Sequence, residues 1–156
     1  MQVEIRPLKK DDAYISYLWR NNPEIWKYTG SKPDKEITIE LELQWIKSVI
    51  KKDNEKRFAI IADKVYVGNI QLTNITTDRA EFHIFIGDIN YWGKGVASKA
   101  MDLLLDYAKE QLKLQYIYLS VHPDNKKGII LYKNKGFEIV GYERISNFIK
   151  MKKNLL

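Results

Sequence analysis

The chain has 156 residues, a formal net charge of +6 and no cysteine. That length suits one compact domain with a real core, here residues 1–156, and the missing cysteines exclude disulfides, thiolate zinc sites and a cysteine nucleophile. No apolar run approaches the roughly 20 residues of a membrane span, and Met1 to Pro7 has neither a basic nor an apolar leader region. The expected setting is cytoplasmic, with no membrane contact. The positive charge reads first as a solvated surface and second as an attraction for anionic ligands. Lysines are scattered, and no helix-turn-helix or aromatic RNA platform stands out, so nucleic acid is not expected as a partner.

Val3 to Arg6 reads as a short first strand. Asp11 or Asp12 opens a helix to about Arg20, with Ala13, Tyr17 and Leu18 on one side, and Asn21-Asn22-Pro23 ends it. Trp26 to Pro33 reads as a loop or short turn. Thr38 caps a second helix to about Lys51, with Leu41, Trp45, Ile46, Val49 and Ile50 as its apolar residues. Thr38-Ile39-Glu40-Leu41 comes close to a capping box, with the acid one residue early. Phe58 to Ala62, Val65 to Asn74 and Arg79 to Ile86 look like three successive antiparallel strands, turned at Asp63-Lys64 and Thr76-Thr77-Asp78. A helix follows from Ala97 to Leu112, then a strand from Tyr116 to Val121. The last helix starts at Pro123-Asp124-Asn125 and ends at Gly136. Phe137 to Ile145 and Phe148 to Lys152 close the chain as a hairpin, whose edges leave a homodimer open. This order describes an α/β arrangement on a mixed sheet.

The segment Asn90-Tyr91-Trp92-Gly93-Lys94-Gly95-Val96-Ala97 carries the most information. It joins the strand ending at Ile86 to the helix opening near Ala97. Glycines let the backbone approach a phosphate closely, and the first helical N–H groups have no intrahelical partner. The helix dipole adds partial positive charge, and Lys94 adds a whole one. The spacing fits neither a dinucleotide fingerprint nor a P-loop.

The loop does resemble the acyl-CoA pyrophosphate loop of the GNAT N-acetyltransferases, a Q/R-x-x-G-x-G/A pattern. Its Tyr-Trp-Gly-Lys-Gly form looks like the branch containing the ribosomal-protein N-acetyltransferases. Asn90 stands where that pattern has Gln or Arg, a change the main-chain chemistry tolerates. Downstream, Asn125, Leu131, Tyr132, Gly136 and Phe137 match the family's N-x-x-[AS]-x-x-L-Y-x-x-x-G-F helix, with Gly128 in place of Ala or Ser. Gly128 costs about 1 kcal/mol relative to Ala, which suggests that something packs close to it, such as the cofactor.

The resemblance implies an α/β GNAT fold, with a mixed central sheet of about seven strands, splayed central strands and about four helices. It implies acetyl-CoA as cosubstrate and no metal. It places the cofactor against Ile84, Phe85, Ile86, Trp92, Gly93, Lys94, Gly95, Val96, Ala97, Asn125 and Tyr132, in the gap between the strands ending near Ile86 and beginning near Tyr116. Direct transfer needs an acid for the departing sulfur, and the resemblance assigns that to Tyr132. It also needs a base for the amine, because a free alkylamine has a pKa near about 10. Glu81 is the first candidate, from the family's use of a Glu at a similar place. His83, on the same strand face by period-two alternation, is its rival. A water chain is the third option.

The expected acceptor contacts are Arg20, Asn21, Trp26, Tyr28 and His83. An Arg among aromatics suits an anionic, ring-bearing ligand. Trp19 reads equally as a pin between helix and sheet. The run Trp19-Arg20-Asn21-Asn22-Pro23-Glu24-Ile25 resembles N-acetyltransferases that modify nucleotide-linked amino sugars, including those of bacterial pseudaminic acid synthesis. The expected activity is acetyl transfer to a small amine-bearing substrate, UDP-linked in this reading. Protein N-terminal or lysine acetylation, and a non-catalytic acyl-CoA-binding module, are the alternatives.

Overall fold

A computed structural model describes residues 1–29 and 32–156. The strands are β1 (Val3–Pro7), β2 (Lys56–Ala62), β3 (Val65–Thr73), β4 (Arg79–Ile86), β5 (Tyr116–Val121), β6 (Glu138–Tyr142) and β7 (Ile149–Asn154). They form one seven-stranded sheet in the order β1-β2-β3-β4-β5-β7-β6. All neighbours are antiparallel except β4 and β5, which run parallel. The helices are α1 (Ala13–Arg20), α2 (Pro23–Trp26), α3 (Ile39–Val49), α4 (Val96–Glu110) and α5 (Lys126–Asn134). The mixed sheet and the four longer helices match the α/β arrangement read from the sequence.

The sheet separates two apolar clusters. On the back face, α4 buries Val96, Ala100, Met101, Leu104, Leu105 and Ala108 against Ile60, Ile70, Leu72, Phe82 and Ile117. The helical spacing of those residues makes one continuous stripe. Leu104 is fully buried, and truncating such a leucine to alanine costs about 2–5 kcal/mol. On the front face, α1 and α3 cover Ala59, Ile61 and Tyr66 with Ala13, Trp19 and Ile46.

Local chemistry sets the boundaries. Thr38 accepts a hydrogen bond from the Leu41 amide at 3.1 Å and starts α3. Asp63 and Lys64 both take positive φ, 48° and 72°, the conformation that suits a two-residue turn between twisted strands. Asn125 caps α5 by accepting from the Gly128 amide at 3.0 Å, and Gly136 ends it at φ 93°.

Three expectations need correction. Asn22 and Pro23, read only as the end of α1, also open α2, whose start is fixed by Asn22 accepting from the Glu24 amide at 3.0 Å and by Pro23 in the first turn; Trp26, expected to begin a loop or short turn, is the last residue of that helix. Gly30 and Ser31, in the rest of that loop, lie outside the described residues. The inward side of α1 is Ala13, Ser16 and Trp19, not Ala13, Tyr17 and Leu18, and Leu18 is exposed. A buried hydrogen bond from Ser16 Oγ to Glu42 at 2.7 Å explains the hydroxyl on that side. Finally, the close neighbour of Gly128 is its own helix cap. A Cβ there would come within 2.7 Å of Asn125 Nδ2, so no cofactor is needed to account for the glycine.

Candidate active site

The end of β4 leads into the glycine turn through Gly87. A Cβ on Gly87 would run into the ring of Trp19, which packs there and against Tyr66 and Phe85. Trp19 is therefore a pin between α1 and the sheet. The Trp92 indole donates to the Ile86 carbonyl at 2.8 Å and ties the turn to the strand. Gly93 and Gly95 both take the left-handed conformation, φ 73° and 79°, and a Cβ on either would meet nothing within 4 Å. Backbone geometry thus requires the glycines, while the space beside them is open. Gly95 caps α4 with no side-chain hydrogen bond. Among the described residues, the amides of Gly93, Lys94, Gly95, Val96 and Ala97 have no protein acceptor. Lys94 Nζ lies 5.6 Å from the centre of the Tyr91 ring. A row of unused N–H groups at a helix N-terminus is a site for phosphate.

Beside this cradle the sheet opens. β4 and β5 pair only at Arg79–Tyr116, Ala80–Ile117 and Glu81–Tyr118, although both strands run on to Ile86 and Val121. The edge of β4 from Phe82 through Ile84, Phe85 and Ile86 therefore has no strand beside it on the β5 side. Tyr132 comes from α5 and packs its ring at steep angles on Phe82 and Phe137, 6.1 and 6.0 Å between centroids. Burial pushes its hydroxyl pKa up to about 12, so the phenol holds its proton at neutral pH. Its hydroxyl has no hydrogen-bond partner among the described residues.

Sheet register builds the front of the site. Thr73 lies opposite Glu81, Gln71 opposite His83 and Asn69 opposite Phe85. Glu81 Oε1 accepts from Asn74 Nδ2 at 3.1 Å and lies 3.5 Å from His83 Nε2. The His83 contact is the main cause that holds the Glu81 carboxyl below the usual carboxylate range, with Asn74 and Thr73 adding to it. His83 Nε2 also sits 3.2 Å from Thr73 Oγ1.

A cavity of about 450 Å³ opens in front of His83, within the size of small-ligand sites. Its walls carry Arg20, Trp26, Lys32, Trp45 and Arg57, and its floor Gln71, Thr73, His83 and Phe85. Arg20 and Trp26 are thus brought to one pocket with His83. Asn21 is spent elsewhere: its side chain donates to the Tyr17 and Ile37 carbonyls and accepts from the Ile37 amide. Tyr28 faces His122, 5.3 Å between rings, and His122 packs in turn on Phe148. Asn125 uses its side chain as a helix cap.

Lys32, Trp45, Arg57, Gln71 and Thr73 were not read from the sequence as site residues, Trp45 being taken only as part of an apolar helix face. Arg57, Gln71 and His83 form one row across β2, β3 and β4, and no local pattern in the chain announces that row.

The model of the acetyltransferase (GNAT) domain matches residues 2–138. The chain belongs to the GNAT acetyltransferase family. As a GNAT acetyltransferase it is an enzyme that uses acetyl-CoA to acetylate an amine. It is 34% identical over 141 residues to spermidine N(1)-acetyltransferase of Escherichia coli, covering 89% of this chain and 74% of that protein. It is 29% identical over 148 residues to acetyltransferase PseH of Campylobacter jejuni, covering 94% and 90%. The structure of Vibrio cholerae spermidine N-acetyltransferase in complex with CoA and spermine superposes with a TM-score of 0.88 at 27% identity, covering 99% and 96%. The residues present fit acetyl-CoA: the open glycine cradle accepts phosphates, and the unpaired edge of β4 offers backbone to an extended chain. Among the described residues no group of three acidic, His or Cys side chains could hold a metal ion, and no helix is long and apolar enough to cross a membrane.

Proposed function

We propose that this GNAT acetyltransferase acetylates the amino group of a nucleotide-linked amino sugar, UDP-linked by preference. One observation carries the reading: the cavity in front of His83 is walled by the cations Arg20, Lys32 and Arg57 and the aromatics Trp26 and Trp45. The guanidinium N–H groups that Arg20 and Arg57 leave unused among the described residues suit phosphate oxygens and offer no acceptor to a polyamine's ammonium groups. Spermidine is the competing acceptor, from the relatives named for it.

Bound acetyl-CoA supplies the acetyl group and leaves as the free thiol. The amides of Gly93 to Ala97 hold its pyrophosphate, with Lys94 and Trp92 at the rim and the strand edge from Ile84 to Ile86 alongside. His83 takes the amine proton. Its Nε2 faces the Glu81 carboxylate, an acceptor only, which sets the tautomer and leaves Nδ1 as the basic atom. Glu81 is then a positioning residue, a change of order from the sequence reading. A carboxyl held below its usual range is the weaker base near neutral pH. Tyr132 keeps its proton and gives it to the departing sulfur. The new N–C bond forms as the C–S bond breaks: His83 takes one proton of the ammonium, Tyr132 gives its proton to the sulfur, and the second proton shed by the nitrogen restores the Tyr132 hydroxyl.

The test is a side-by-side assay with acetyl-CoA and a panel of UDP-linked amino sugars, spermidine, and peptides with free N-termini or lysines. The expected result is a kcat/KM for one UDP-linked sugar about 100-fold or more above the other amines, a difference of about 2.7 kcal/mol. A preference for spermidine or a peptide overturns the reading.

A further inference from the structure

Arg20 and Arg57 come from different elements, α1 and β2, yet their guanidiniums share one ring. Arg20 Cζ lies 4.9 Å and Arg57 Cζ 5.0 Å from the centre of Trp45. Each is held from outside the cavity by a carboxylate. Arg20 Nη1 bonds Glu42 Oε1 at 2.9 Å, and Arg57 Nε bonds Glu55 Oε1 at 2.9 Å. Glu42 is 1% exposed. A carboxylate so buried costs several kcal/mol in lost hydration, and among the described residues its two oxygens are matched by Arg20 and Ser16.

Two like charges held together at the wall of a cavity repel each other. A carboxylate behind each relieves part of that, and the side facing the cavity carries no anion among the described residues. Each guanidinium commits one nitrogen to its carboxylate, and its other N–H groups have no acceptor among the described residues. Planar forks fixed in advance, with donors unused, suit the oxygens of phosphate. Arg57 also stands two strands from His83 in the Arg57–Gln71–His83 row, about 10 Å along the sheet.

We propose that Arg20 and Arg57, both packed on Trp45, clamp the diphosphate of the acceptor, and that the buried Glu42 positions Arg20 for that grip. The clamp rests on the nucleotide-sugar reading above. It assigns the phosphates to one wall and the reacting amine to His83, and it gives Glu42 a role in selectivity.

The experiment uses the whole protein saturated with CoA, so that the glycine cradle is filled. UDP and uridine are titrated by calorimetry, and the UDP-linked sugar panel is assayed in parallel. UDP is expected to bind about tenfold or more tighter than uridine, the value of a charge-assisted contact. Arg57→Lys keeps the charge and loses the fork; it is expected to weaken UDP and raise the acceptor KM about tenfold, with the KM for acetyl-CoA unchanged. Glu42→Gln keeps the shape and the Ser16 contact, and is expected to raise the acceptor KM alone. If Glu42→Gln instead shifts both KM values with the melting temperature, Glu42 is structural and its positioning role is overturned, while Arg57→Lys still decides the clamp. If Arg57→Lys leaves UDP affinity and acceptor KM intact while a UDP-linked sugar is still acetylated, the clamp falls and the proposed function stands. If no UDP-linked sugar is acetylated, both fall.

Discussion

The two halves of this site are built in different ways. The half we assign to the cofactor is backbone: two left-handed glycines, a run of amides without acceptors among the described residues and a strand edge unpaired beyond Glu81 on the β5 side. The half we assign to the acceptor is side chain: α1, α2, α3 and three strands each contribute one or two groups to a single cavity. Main-chain recognition needs a conformation and tolerates most side chains, as Asn90 in place of Gln or Arg illustrates. Side-chain recognition needs identities brought together from distant positions. One fold can therefore keep its donor site while its acceptor changes.

Substitution at the cradle is the severest way to break that division. Gly95→Val places a β-branched side chain at φ 79° and fills the open side of the turn, so acetyl-CoA affinity is expected to fall about 100-fold or more. Calorimetry with CoA reads this directly, and UDP affinity should stay unchanged if the halves are separate. An equal loss of both ligands would erase the distinction.

Tyr132→Phe comes next. It removes the proton donor and keeps the ring against Phe82 and Phe137, so kcat is expected to fall about 100-fold with CoA affinity unchanged. Unaltered kcat would end the acid role. The same variant sharpens the pH dependence. Because burial raises the Tyr132 pKa to about 12, its contribution to stability is complete below about pH 10 and is lost as pH rises through about 12. Wild type is therefore expected to lose more melting temperature than Tyr132→Phe over that alkaline window.

His83→Ala and Glu81→Gln separate base from positioning residue. The first is expected to lower kcat about 100-fold and the second about tenfold. The reverse order would restore Glu81 as the base. The smallest effect is expected from Trp92→Phe, which removes one hydrogen bond to the Ile86 carbonyl. The loss of about 1 kcal/mol is read as a roughly fivefold weaker CoA with kcat and UDP affinity intact.

Much of the fold was legible in the chain. The runs Arg79–Ile86 and Tyr116–Val121 are the observed strands to the residue, because β-branched and aromatic residues alternate there between clear turn signals. The inner face of α1 was not legible. Its buried Ser16 is polar, and only the carboxylate of Glu42, 26 positions away, makes that burial favourable. α2 was missed because a single turn of helix leaves no periodicity to read.

The family, the fold and the left-handed glycine turn follow from the order of residues alone. Those depend on local terms: glycine conformations, helix caps, and the period of apolar residues within one element. Which side chains meet in front of His83 is set by how the elements pair and pack. Strand register aligns Arg57 with Gln71 and His83, and the packing of α3 on α1 brings Glu42 to Arg20 and the Trp45 ring to within about 5 Å of both guanidiniums. Those are contacts between residues far apart in the chain, set by how elements pair and pack, and no short stretch of sequence contains them.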